Sequence, residues 1–465
     1  MTTSSSTSIL WFRRDLRLQD NPALDWVCEN SDAVLPVYIH SDDEHWPMGG
    51  ASRWWLHHSL QQLENQLRSA GLKLHVFKGD SQQVLQSLIA QTEATDLVFN
   101  KLYEPDACLR DSVLTENLNH SVAVHAFDSG LFTVPGEVLN NQQLPYRVFT
   151  PFYKKIRPML ERQSEQSFEL QQSVPLASLK ALKPVVLDGN DDLFALALLD
   201  ENSWHDKLSS YWQPGEQNTA DLVEAFIDNA LDSYQVARDI PSLDATSMLS
   251  AHLHFGEITP QRLYSAISPI LQGQHDASAM NSAEVFIKQL LWREFAHHVL
   301  WHFPHTAERP MNDRFKHSFW RFDEKEFSRW TRGETGVPIV DAGMKQLWET
   351  GWMHNRVRMI VSSFLTKNLG IHWIYGARWF WDTLVDADLA NNTMGWQWVA
   401  GCGVDAAPYY RVFNPLRQAQ RFDQNNKYID RWVPEHIELD YPQPMVDLAS
   451  SRDEALSRYK LNISS

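Results

Sequence analysis

The sequence predicts an α/β domain followed by an all-α domain, and three observations lead to this prediction. The chain has 465 residues, its first 130 residues alternate apolar runs with helical patterns, and the residues beyond about 216 show almost no β alternation. Domains usually hold about 100 to 200 residues, so this length exceeds one ordinary core. We therefore expect an α/β domain over residues 1–130, a connector over residues 131–215 and a helical domain over residues 216–465.

Short apolar runs in the first 130 residues predict the strands of a doubly wound, Rossmann-like parallel sheet. Helical patterns that begin at Ser52 and Ser81 separate some of these runs, and this βαβ order is typical of parallel sheets with helices on both faces. No GxGxxG motif follows the first run, where the chain reads WFRRDLR, so a nicotinamide-type pyrophosphate motif is absent. The predicted strands are Ile9–Phe12, Ala33–Ile39, Leu72–Phe77, Asp96–Phe99 and Val122–Phe127.

The connector is predicted to be long and irregular. Between Leu131 and Trp212 the periodic patterns break into short pieces with scattered Pro, Gln and Ser, and the stretch from Leu170 to Pro184 shows this composition. Such a segment is expected to wrap between domains. Beyond it, apolar residues recur with a period of about 3.6, which predicts helices throughout the second domain.

Composition and charge limit the possible partners. An apolar content of 43%, a charged content of 21% and the lack of long uncharged apolar runs predict a globular protein that does not span a membrane. At a formal net charge of -17, nucleic acid could bind only through a local basic patch. Met1–Ser8 has no basic start and no apolar core, so it does not resemble a signal peptide, and we expect a cytoplasmic protein.

Neither a disulfide framework nor a metal site is predicted. Cys28, Cys108 and Cys402 lie far apart without CxxC spacing, which argues against disulfides, zinc and iron–sulfur clusters. His298 and His302 have helical spacing, but no HExxH motif and no cysteine or acid at ligand spacing accompanies them. We expect three reduced, structural cysteines and no bound metal.

Acids, amides and indoles are concentrated between Asp386 and Trp398. On a helix, Asp388, Asn392 and Trp396 lie four residues apart and share a face, whereas Trp398 lies about 200° around from Trp396. Asp386 and Asp388 stand in an otherwise apolar run, so they should accept hydrogen bonds from a ligand or an arginine. Ribose hydroxyls or a ring N–H would suit these carboxylates.

Three further segments carry side chains suited to a flat, charged ligand. Thr246–Ser250 places three hydroxyls at a predicted helix start, where they could donate to a pyrophosphate, although an ordinary helix cap explains the same pattern. Gln289, Trp292 and Arg293 combine an amide, an indole and a cation at helical spacing. In Trp352–Met359, two arginines point in different directions. Core packing is the alternative for each of the 19 tryptophans taken separately.

Together these segments resemble the photolyase and cryptochrome flavoproteins over nearly the whole chain. The likeness rests on eight motifs in the family's order: Leu10–Arg17, Ala51–Leu56, Thr246–Ser250, Trp292–Phe295, Gly336–Asp341, Gly351–Arg356, Asp386–Trp398 and Asp405–Tyr409. The resemblance implies FAD held in a U shape in the helical domain and an antenna chromophore on the α/β domain. It also implies UV-damaged DNA as the partner, bound by a monomer that associates with the nucleoid when on DNA.

The resemblance implies which residues bind FAD. By motif match, Arg358 would pair with Asp386, Asp388 would contact the flavin ring, and Asn392 would face the redox-active nitrogen of that ring. Arg293 and Asn355 would line the flavin. The implied FAD-binding set is Tyr234, Thr246, Ser247, Met248, Leu249 and Ser250 at the pyrophosphate, with Arg293, Asn355, Arg358, Asp386, Ala387, Asp388 and Asn392.

The resemblance also implies an electron relay and a lesion pocket. Trp396, Trp373 and Trp320 match the relay triad, through which the photoexcited flavin is reduced stepwise from the surface inward. The residues implied to meet a flipped-out pyrimidine dimer and its DNA are Arg238, Gln289, Trp292, Asn355, Arg356, Met359 and Trp398. The implied catalytic residues are Trp320, Trp373, Trp396, Asn392 and Gln289.

The activity that the resemblance favours is light-driven repair of cyclobutane pyrimidine dimers, by electron transfer from excited, reduced FAD. Asn392 and Trp292 favour such a lyase over the alternative of a blue-light cryptochrome photoreceptor. The runs ASRWW and FNKLYEP are similar to the plant-cryptochrome side of the family and so to class III photolyases. Gln289 is common in (6-4) photolyases, the other alternative, whereas the Asn355, Arg356 and Met359 pattern is that of cyclobutane repair.

The antenna is expected to be methenyltetrahydrofolate. Asp106 and Ala107 stand where the best-known folate-binding type has Asn-Glu, so that contact pair is missing. The likeness to class III implies the same folate at another place, near Trp46 and Trp54. An 8-hydroxy-deazaflavin is the alternative.

Overall fold

The computed structural model describes residues 6–42, 44–167, 176–187, 192–199, 204–273, 276–315, 319–406 and 410–463. Three parts of the sequence predictions lie outside these ranges: residues 1–5 of the N-terminal segment, residues 168–175, 188–191 and 200–203 of the connector, and residues 407–409 of the last motif. Within them, Cys28, Cys108 and Cys402 are free thiols, and no helix combines the length and apolarity needed to cross a membrane.

The N-terminal domain is built on the parallel strands β1 (Thr7–Phe12), β2 (Ala33–His40), β3 (His75–Lys78), β4 (Asp96–Asn100) and β5 (Ala123–Phe127). Their order in the sheet is β3-β2-β1-β4-β5, with Ser8 of β1 opposite Asp96 of β4 and opposite Val34 of β2. All eight residues of β2 are buried, as expected of a strand covered on both faces. The predicted doubly wound sheet is confirmed.

Four helices connect successive strands: α1 (Pro22–Asn30), α2 (Gly50–Ser69), α3 (Ser81–Thr92) and α4 (Pro105–Leu118). Side-chain caps fix two of the starts, because Asn21 accepts a hydrogen bond from the Leu24 N–H and Asp80 accepts one from the Gln83 N–H. The direction of winding reverses between β1 and β4. In such sheets, ligands bind in the crevice beyond the carboxyl ends of the strands at this reversal.

The connector contains a long helix, α5 (Phe149–Ser167), so the prediction of short irregular pieces is wrong over this stretch. Phe152, Ile156 and Leu160 recur every four residues and are fully buried, so the helical period was present in the sequence. Pro158 inside the helix concealed it, because proline normally interrupts helices. After α6 (Leu176–Ala181), the short strand β6 (Lys183–Pro184) pairs with β2 and returns the connector to the sheet.

The second domain is helical, as predicted. A π-helical turn at Phe364–Asn368 continues the helix that begins at Asn355. The helices are α7 (Gln217–Asn229), α8 (Tyr234–Ala237), α9 (Ser250–His254), α10 (Pro260–Gln272), α11 (Ala277–His302), α12 (Glu324–Thr331), α13 (Pro338–Thr350), α14 (Asn355–Ser363), α15 (Trp373–Thr383), α16 (Leu389–Ala400), α17 (Pro415–Phe422), α18 (Lys427–Trp432) and α19 (Leu448–Ile463).

The WFRRDLR motif after β1 joins the two domains. The Arg17 guanidinium donates a hydrogen bond to the Gly256 carbonyl at 2.9 Å, and the Leu16 N–H donates to the Phe255 carbonyl at 3.1 Å. Gly256 has a φ of +67°, and a Cβ there would collide with the Arg14 carbonyl. The motif is therefore a close contact between domains, and this contact fixes the position of the sheet edge relative to the helical domain.

Candidate functional site

Asp388 caps α16 and lies among buried charged side chains. Its Oδ1 accepts hydrogen bonds from the main-chain N–H of Asn391 at 2.8 Å and from the Asn391 amide at 2.7 Å. Its Oδ2 lies 3.5 Å from His297 Nε2 and 3.6 Å from His254 Nδ1. Burial alone would raise the pKa of Asp388, but the two histidines lower it well below its usual range. Asp388 is therefore ionised, with imidazoles rather than an arginine beside it.

This charged cluster continues into the α/β domain. Glu104, at the start of α4, forms an ion pair with Arg14. Glu104, His297 and Asp388 place one ligand atom each within 4.8 Å of one another, which is the kind of group that could hold a metal ion. Burial opposes protonation of His297, but Asp388 raises its pKa. Because Arg14 already supplies positive charge here, the cluster is described best as an ion network between the domains.

The predicted pair of Arg358 and Asp386 forms. Arg358 Nη2 lies 2.9 Å from Asp386 Oδ2 and 3.1 Å from Oδ1, and Arg358 Nε donates to the Met353 carbonyl at 2.7 Å. The Asp386 side chain is 5% exposed and that of Arg358 is 23% exposed. The pair thus ties α14 to the segment that precedes α16, at the border between the core and accessible space.

Replacing Asp386 with Asn should destabilise this part of the site. Asn keeps the shape but removes the charge opposite Arg358, and loss of such a partner costs about 1–3 kcal/mol. We expect a lower Tm and faster loss of FAD, measured by thermal scanning and by flavin fluorescence after gel filtration. The control Asp430→Asn removes an exposed carboxylate that contacts His436 and should change neither quantity. If Asp386→Asn and Asp430→Asn lowered the Tm and the FAD retention equally, the role of the pair of Arg358 and Asp386 in holding this part of the site would be refuted.

A cluster of arginines lies beside this pair. Arg356 Nη2 donates to Asp239 Oδ1 at 2.7 Å, and Arg238 Nη2 donates to Gln289 Oε1 at 2.9 Å. The buried His354 lies among these groups. Burial and the neighbouring arginines lower its pKa to about 4, although Asp239 opposes this shift. The cluster is a local basic patch of the kind that a chain with a net charge of -17 needs in order to bind phosphates.

Trp292 presents a partly exposed indole on α11. Its ring stacks on Phe149, with ring centroids 3.7 Å apart and an interplanar angle of 9°. The next two residues anchor the connector, because Arg293 Nη1 donates to the Gly130 carbonyl at 2.8 Å and Glu294 accepts hydrogen bonds from connector main chain. The Trp-Arg-Glu run therefore fixes the orientation of an indole that stays partly accessible.

The two indoles of α16 meet different surroundings, as their spacing predicted. Trp396 is buried and packs on α15 at Gly376, where a Cβ would collide with the indole ring. Trp398 is partly exposed, and its ring centroid lies 6.2 Å from that of Phe413. One indole thus belongs to the core, and the other belongs to an accessible surface.

The three predicted relay indoles lie in the core of the helical domain. Trp320 is 7% exposed, Trp373 is 0% exposed and Trp396 is 2% exposed. The His372 ring lies 4.6 Å from Trp320 and 5.6 Å from Trp373, between centroids. Among the described residues, none offers a hydrogen-bond acceptor to Nε1 of these three indoles. The rings of Trp320, His372 and Trp373 thus form a row that ends at the first residue of α15, and α15 packs against α16.

The structure places other predicted residues around these groups. The Asn392 amide is partly exposed and donates to the Ala377 carbonyl at 2.9 Å. Met359 joins the arginine cluster, with its Sδ 3.9 Å from Arg356 Nη1. Asn355 is exposed at the first position of α14. All three amide and thioether groups lie on α14 or α16, next to the pair of Arg358 and Asp386.

The hydroxyls predicted to hold a pyrophosphate are accessible. Met248 has a φ of +54°, which turns the chain just before α9 begins at Ser250. Thr246 and Ser247 are partly exposed, and Ser250 is exposed. Hydroxyl donors at a helix start suit phosphate oxygens, and the carboxylates and amide on α16 suit ribose hydroxyls and ring N–H groups. The donors and acceptors present therefore fit FAD.

Three other residues predicted to bind the cofactor, Tyr234, Leu249 and Ala387, are buried in the core. The Tyr234 ring packs against Phe226 and Phe286, with centroid distances of 5.4 Å to each. The Arg238 guanidinium carbon lies 5.4 Å from the centroid of the Tyr234 ring. Tyr234 therefore supports the arginine cluster from the core side.

A cavity of about 290 Å³ lies between the two domains. Trp11 and Tyr38 line it at the carboxyl ends of β1 and β2, beside the reversal of winding where doubly wound sheets bind ligands. Trp46 also lines it, whereas Trp54, predicted to lie near the antenna, is buried in the core of the α/β domain. The helical domain completes the wall with residues that include Trp381, Ala387 and Leu389.

Three residues of the site were missed by the sequence predictions. His254 and His297 face Asp388, but each stands close to another histidine in a helical run, His252 and His298 respectively, and buried core histidines look the same in a sequence. Phe149 stacks on Trp292 from a distant part of the chain. Their roles depend on tertiary contacts for which helical spacing gives no signal.

Comparison with known proteins matches the whole chain. Residues 286–440 match the family model described as "FAD binding domain of DNA photolyase", and residues 8–171 match that described as "DNA photolyase". A deoxyribodipyrimidine photo-lyase of Agrobacterium fabrum is 41% identical, over 99% of this chain and 98% of that protein. Cryptochrome-1 of Arabidopsis thaliana is 33% identical, over 93% of this chain and 63% of its own. The crystal structure of a class III photolyase from Agrobacterium tumefaciens superimposes with a TM-score of 0.90 and 40% identity, covering 100% of this chain and 99% of that one.

Proposed function

Because the chain belongs to the DNA photolyase family of flavoproteins, we propose that it repairs cyclobutane pyrimidine dimers in DNA in a light-driven reaction. The observation that carries this proposal is the placement of Trp292 and Trp398, two partly exposed indoles on the packed helices α11 and α16. Gln289, which holds Arg238, lies one turn before Trp292. Aromatic surfaces beside an arginine cluster suit a lesion extruded from a duplex.

Selection of damage follows from base stacking. A pyrimidine dimer stacks poorly within the duplex, so extruding it costs less than extruding a normal base. Once extruded, it would stack on an indole, which contributes about 1–3 kcal/mol per base. Arg238 and Arg356 would meet the phosphates on either side and set the register of the DNA. Lesion affinity and catalysis would therefore use the same pocket.

When bound, FAD would supply the light absorption and the electron that opens the cyclobutane ring. The residues of the chain would hold the reacting groups in place. Asp388 and Asn392 would orient the flavin ring, Arg358 with Asp386 would cover it, and the hydroxyls of Thr246–Ser250 would bind the pyrophosphate. Two carbon–carbon bonds break with no net gain or loss of electrons, so the reaction needs no external oxidant or reductant.

The buried indoles would serve a separate task. Trp320, Trp373 and Trp396 would carry electrons from the surface toward α16, so that an oxidised protein regains its active, reduced form. The missing acceptors at their Nε1 atoms, among the described residues, support this role. An indole that loses an electron beside a proton acceptor would lose its proton as well, and the resulting neutral radical would stay on that residue, which would stop the relay there.

Two other activities occur in this family, and the described contacts bear on both. Trp292 and Asn392 favour repair over a purely signalling cryptochrome. Gln289 is the residue that suggests a (6-4) photolyase, yet its Oε1 accepts from Arg238 and its Nε2 donates to the Val285 carbonyl at 2.9 Å. In this chain the amide oxygen of Gln289 orients Arg238, and a carboxylate oxygen could make the same contact. Gln289 therefore does not by itself favour the (6-4) lesion over the cyclobutane dimer.

The proposal is tested by competition between lesions. Protein with fully reduced FAD is irradiated with blue light in an equimolar mixture of two oligonucleotides, one with a cyclobutane dimer and one with a (6-4) photoproduct. We expect the first to be restored and the second to remain, as measured by chromatography of the digested DNA. Restoration of the (6-4) oligonucleotide alone would reassign the substrate, and restoration of neither would favour a photoreceptor.

We also propose that the interdomain cavity holds the antenna chromophore, methenyltetrahydrofolate, against Trp46, with 8-hydroxy-deazaflavin as the alternative. Asp106 and Ala107 line the same cavity but do not supply the Asn-Glu contact pair, so the aromatic rings would hold the chromophore. The aromatic rings of Trp11, Tyr38 and Trp46 would face a flat chromophore, and the cavity reaches Ala387, next to Asp388. Purified protein is incubated with each chromophore in turn, and the retained absorbance is measured after gel filtration. Trp46→Ala should reduce retention of the chromophore but not of FAD. Unchanged retention of the chromophore would show that it binds outside this cavity.

We propose that the protein acts as a monomer. We also propose that it resides in the cytoplasm and associates with the nucleoid when bound to DNA. Size-exclusion chromatography with light scattering, with and without damaged oligonucleotide, tests the first proposal, and a second protein copy per DNA would contradict it. Fluorescence microscopy of a tagged protein before and after UV exposure tests the second.

A further inference from the structure

Lys367 is a buried lysine with no assigned role in the site described above. It lies in the π-helical turn Phe364–Asn368, and π-helical turns occur often at functional positions. Its Nζ donates to the Arg411 carbonyl and lies 4.3 Å from the centroid of the Tyr410 ring. Burial lowers the pKa of Lys367 to about 7. Burying an amine is costly, so a contact other than packing has to account for this residue.

The main chain that Lys367 binds belongs to the segment after α16, defined here as residues 401–406 and 410–414. Ser363, in the turn before Lys367, holds the same segment, since its Oγ accepts a hydrogen bond from the Phe413 N–H at 3.1 Å. Phe413 in turn contacts the ring of Trp398. Lys367 and Trp398 also line one small cavity. The segment therefore links the buried amine to the first lesion-facing indole.

The same segment reaches the second indole by another route. The Asp405 carboxylate lines the cavity beside Trp398. Burial raises the pKa of this carboxyl, and the main chain of Phe149 beside it opposes that rise. Phe149 is the residue whose ring stacks on Trp292 at 3.7 Å. Trp292 and Trp398, which lie on different helices, are thus both linked to described parts of this segment, through Asp405 and through Phe413.

We propose that Lys367 is a positioning residue for lesion recognition, which fixes the segment after α16 and through it the relative placement of Trp292 and Trp398. This inference rests on the proposed function and deepens it. Lys367 touches neither cofactor nor lesion, so it would affect how well a dimer fits between the indoles. It would not affect the reaction once the dimer is seated.

The test uses Lys367→Met in the full-length, FAD-loaded protein, since methionine has a similar length but cannot donate to Arg411. The matched control is Lys345→Met, which removes a partly exposed lysine paired with Glu435 in the same domain. Dissociation constants are measured for an oligonucleotide with one cyclobutane dimer and for its undamaged copy. Repair rates at saturating damaged DNA, FAD content and Tm are measured alongside.

We expect Lys367→Met to lower the ratio of damaged to undamaged affinity roughly fivefold to tenfold, a part of the stacking contribution of the indoles. The saturated repair rate, the FAD content and the Tm should stay close to those of the wild type and of Lys345→Met. An unchanged affinity ratio would overturn the proposal. An equal loss of affinity for damaged and undamaged DNA would also overturn the proposal, because Lys367 would then contribute only its positive charge.

Two further variants decide the question if Lys367→Met does not fold. Ser363→Ala and Asp405→Ala act on the same segment from its two ends, and each should lower the affinity ratio while FAD stays bound. Retention of the wild-type ratio by both would overturn the proposal. If the wild type itself shows no preference for damaged DNA and no light-driven repair, then the proposed function fails instead.

Discussion

Trp396→Phe is expected to abolish photoreduction of bound, oxidised FAD under blue light, while repair by chemically reduced protein stays near the wild-type rate. Trp396 is the relay indole on α16, the helix that also carries Asn392, and phenylalanine is much harder to oxidise than tryptophan. It retains the packing against Gly376 in part, so the fold should survive. Trp396→Phe should therefore separate two functions of α16, the relay of electrons to oxidised FAD and the support of repair by reduced FAD.

This result is measured by the decay of the oxidised-flavin absorbance under steady blue light with an external reductant. Trp330→Phe is the matched control, since Trp330 is equally buried and lies 6.2 Å from Trp396 between ring centroids, but is not a relay residue. It should photoreduce like the wild type. If Trp396→Phe lost photoreduction and chemically primed repair to the same extent, the relay assignment would be refuted.

Trp292→Ala should weaken binding to dimer-containing DNA far more than binding to undamaged DNA. Removing one stacking surface costs about 1–3 kcal/mol, which corresponds to roughly 5- to 150-fold in the dissociation constant. Undamaged DNA keeps its bases stacked in the duplex and meets only the arginine cluster, so its affinity should change little. The measurement is a pair of titrations with fluorescently labelled duplexes at one fixed salt concentration.

The specificity of this loss is judged against two other substitutions. Trp301→Ala removes an exposed indole from the same helix, α11, and should leave both affinities unchanged. Trp292→Phe keeps an aromatic surface on Phe149 and should retain most of the discrimination. Unaltered discrimination in Trp292→Ala would show that the lesion binds elsewhere.

The arrangement of α16 could be predicted because it depends on helical geometry alone. The spacing of Trp396 and Trp398 requires the two indoles to face different neighbours, and the structure places one in the core and one at the surface. The pair of Arg358 and Asp386 was expected from the family motifs and forms at 2.9 Å. The doubly wound sheet followed from local apolar runs.

The contacts that escaped prediction join parts of the chain that are far apart in sequence. His254 and His297 share Asp388, and Phe149 stacks on Trp292, only after four separate segments have packed together. Helix α5 was missed for another reason, because Pro158 disguised a regular spacing of buried residues. Local sequence patterns predict secondary-structure elements and which side chains share a helix face. Which residues pack against that face depends on the tertiary fold.

The central claim is that light absorbed by this protein restores damaged DNA, and a time course of repair tests it most directly. Protein with fully reduced FAD and an excess of oligonucleotide with one cyclobutane dimer is divided between blue light and darkness, and recovery of pyrimidine absorbance is followed. We expect recovery in the light alone, over several turnovers per protein. Absence of recovery in the light, with FAD bound and reduced, would contradict the claim.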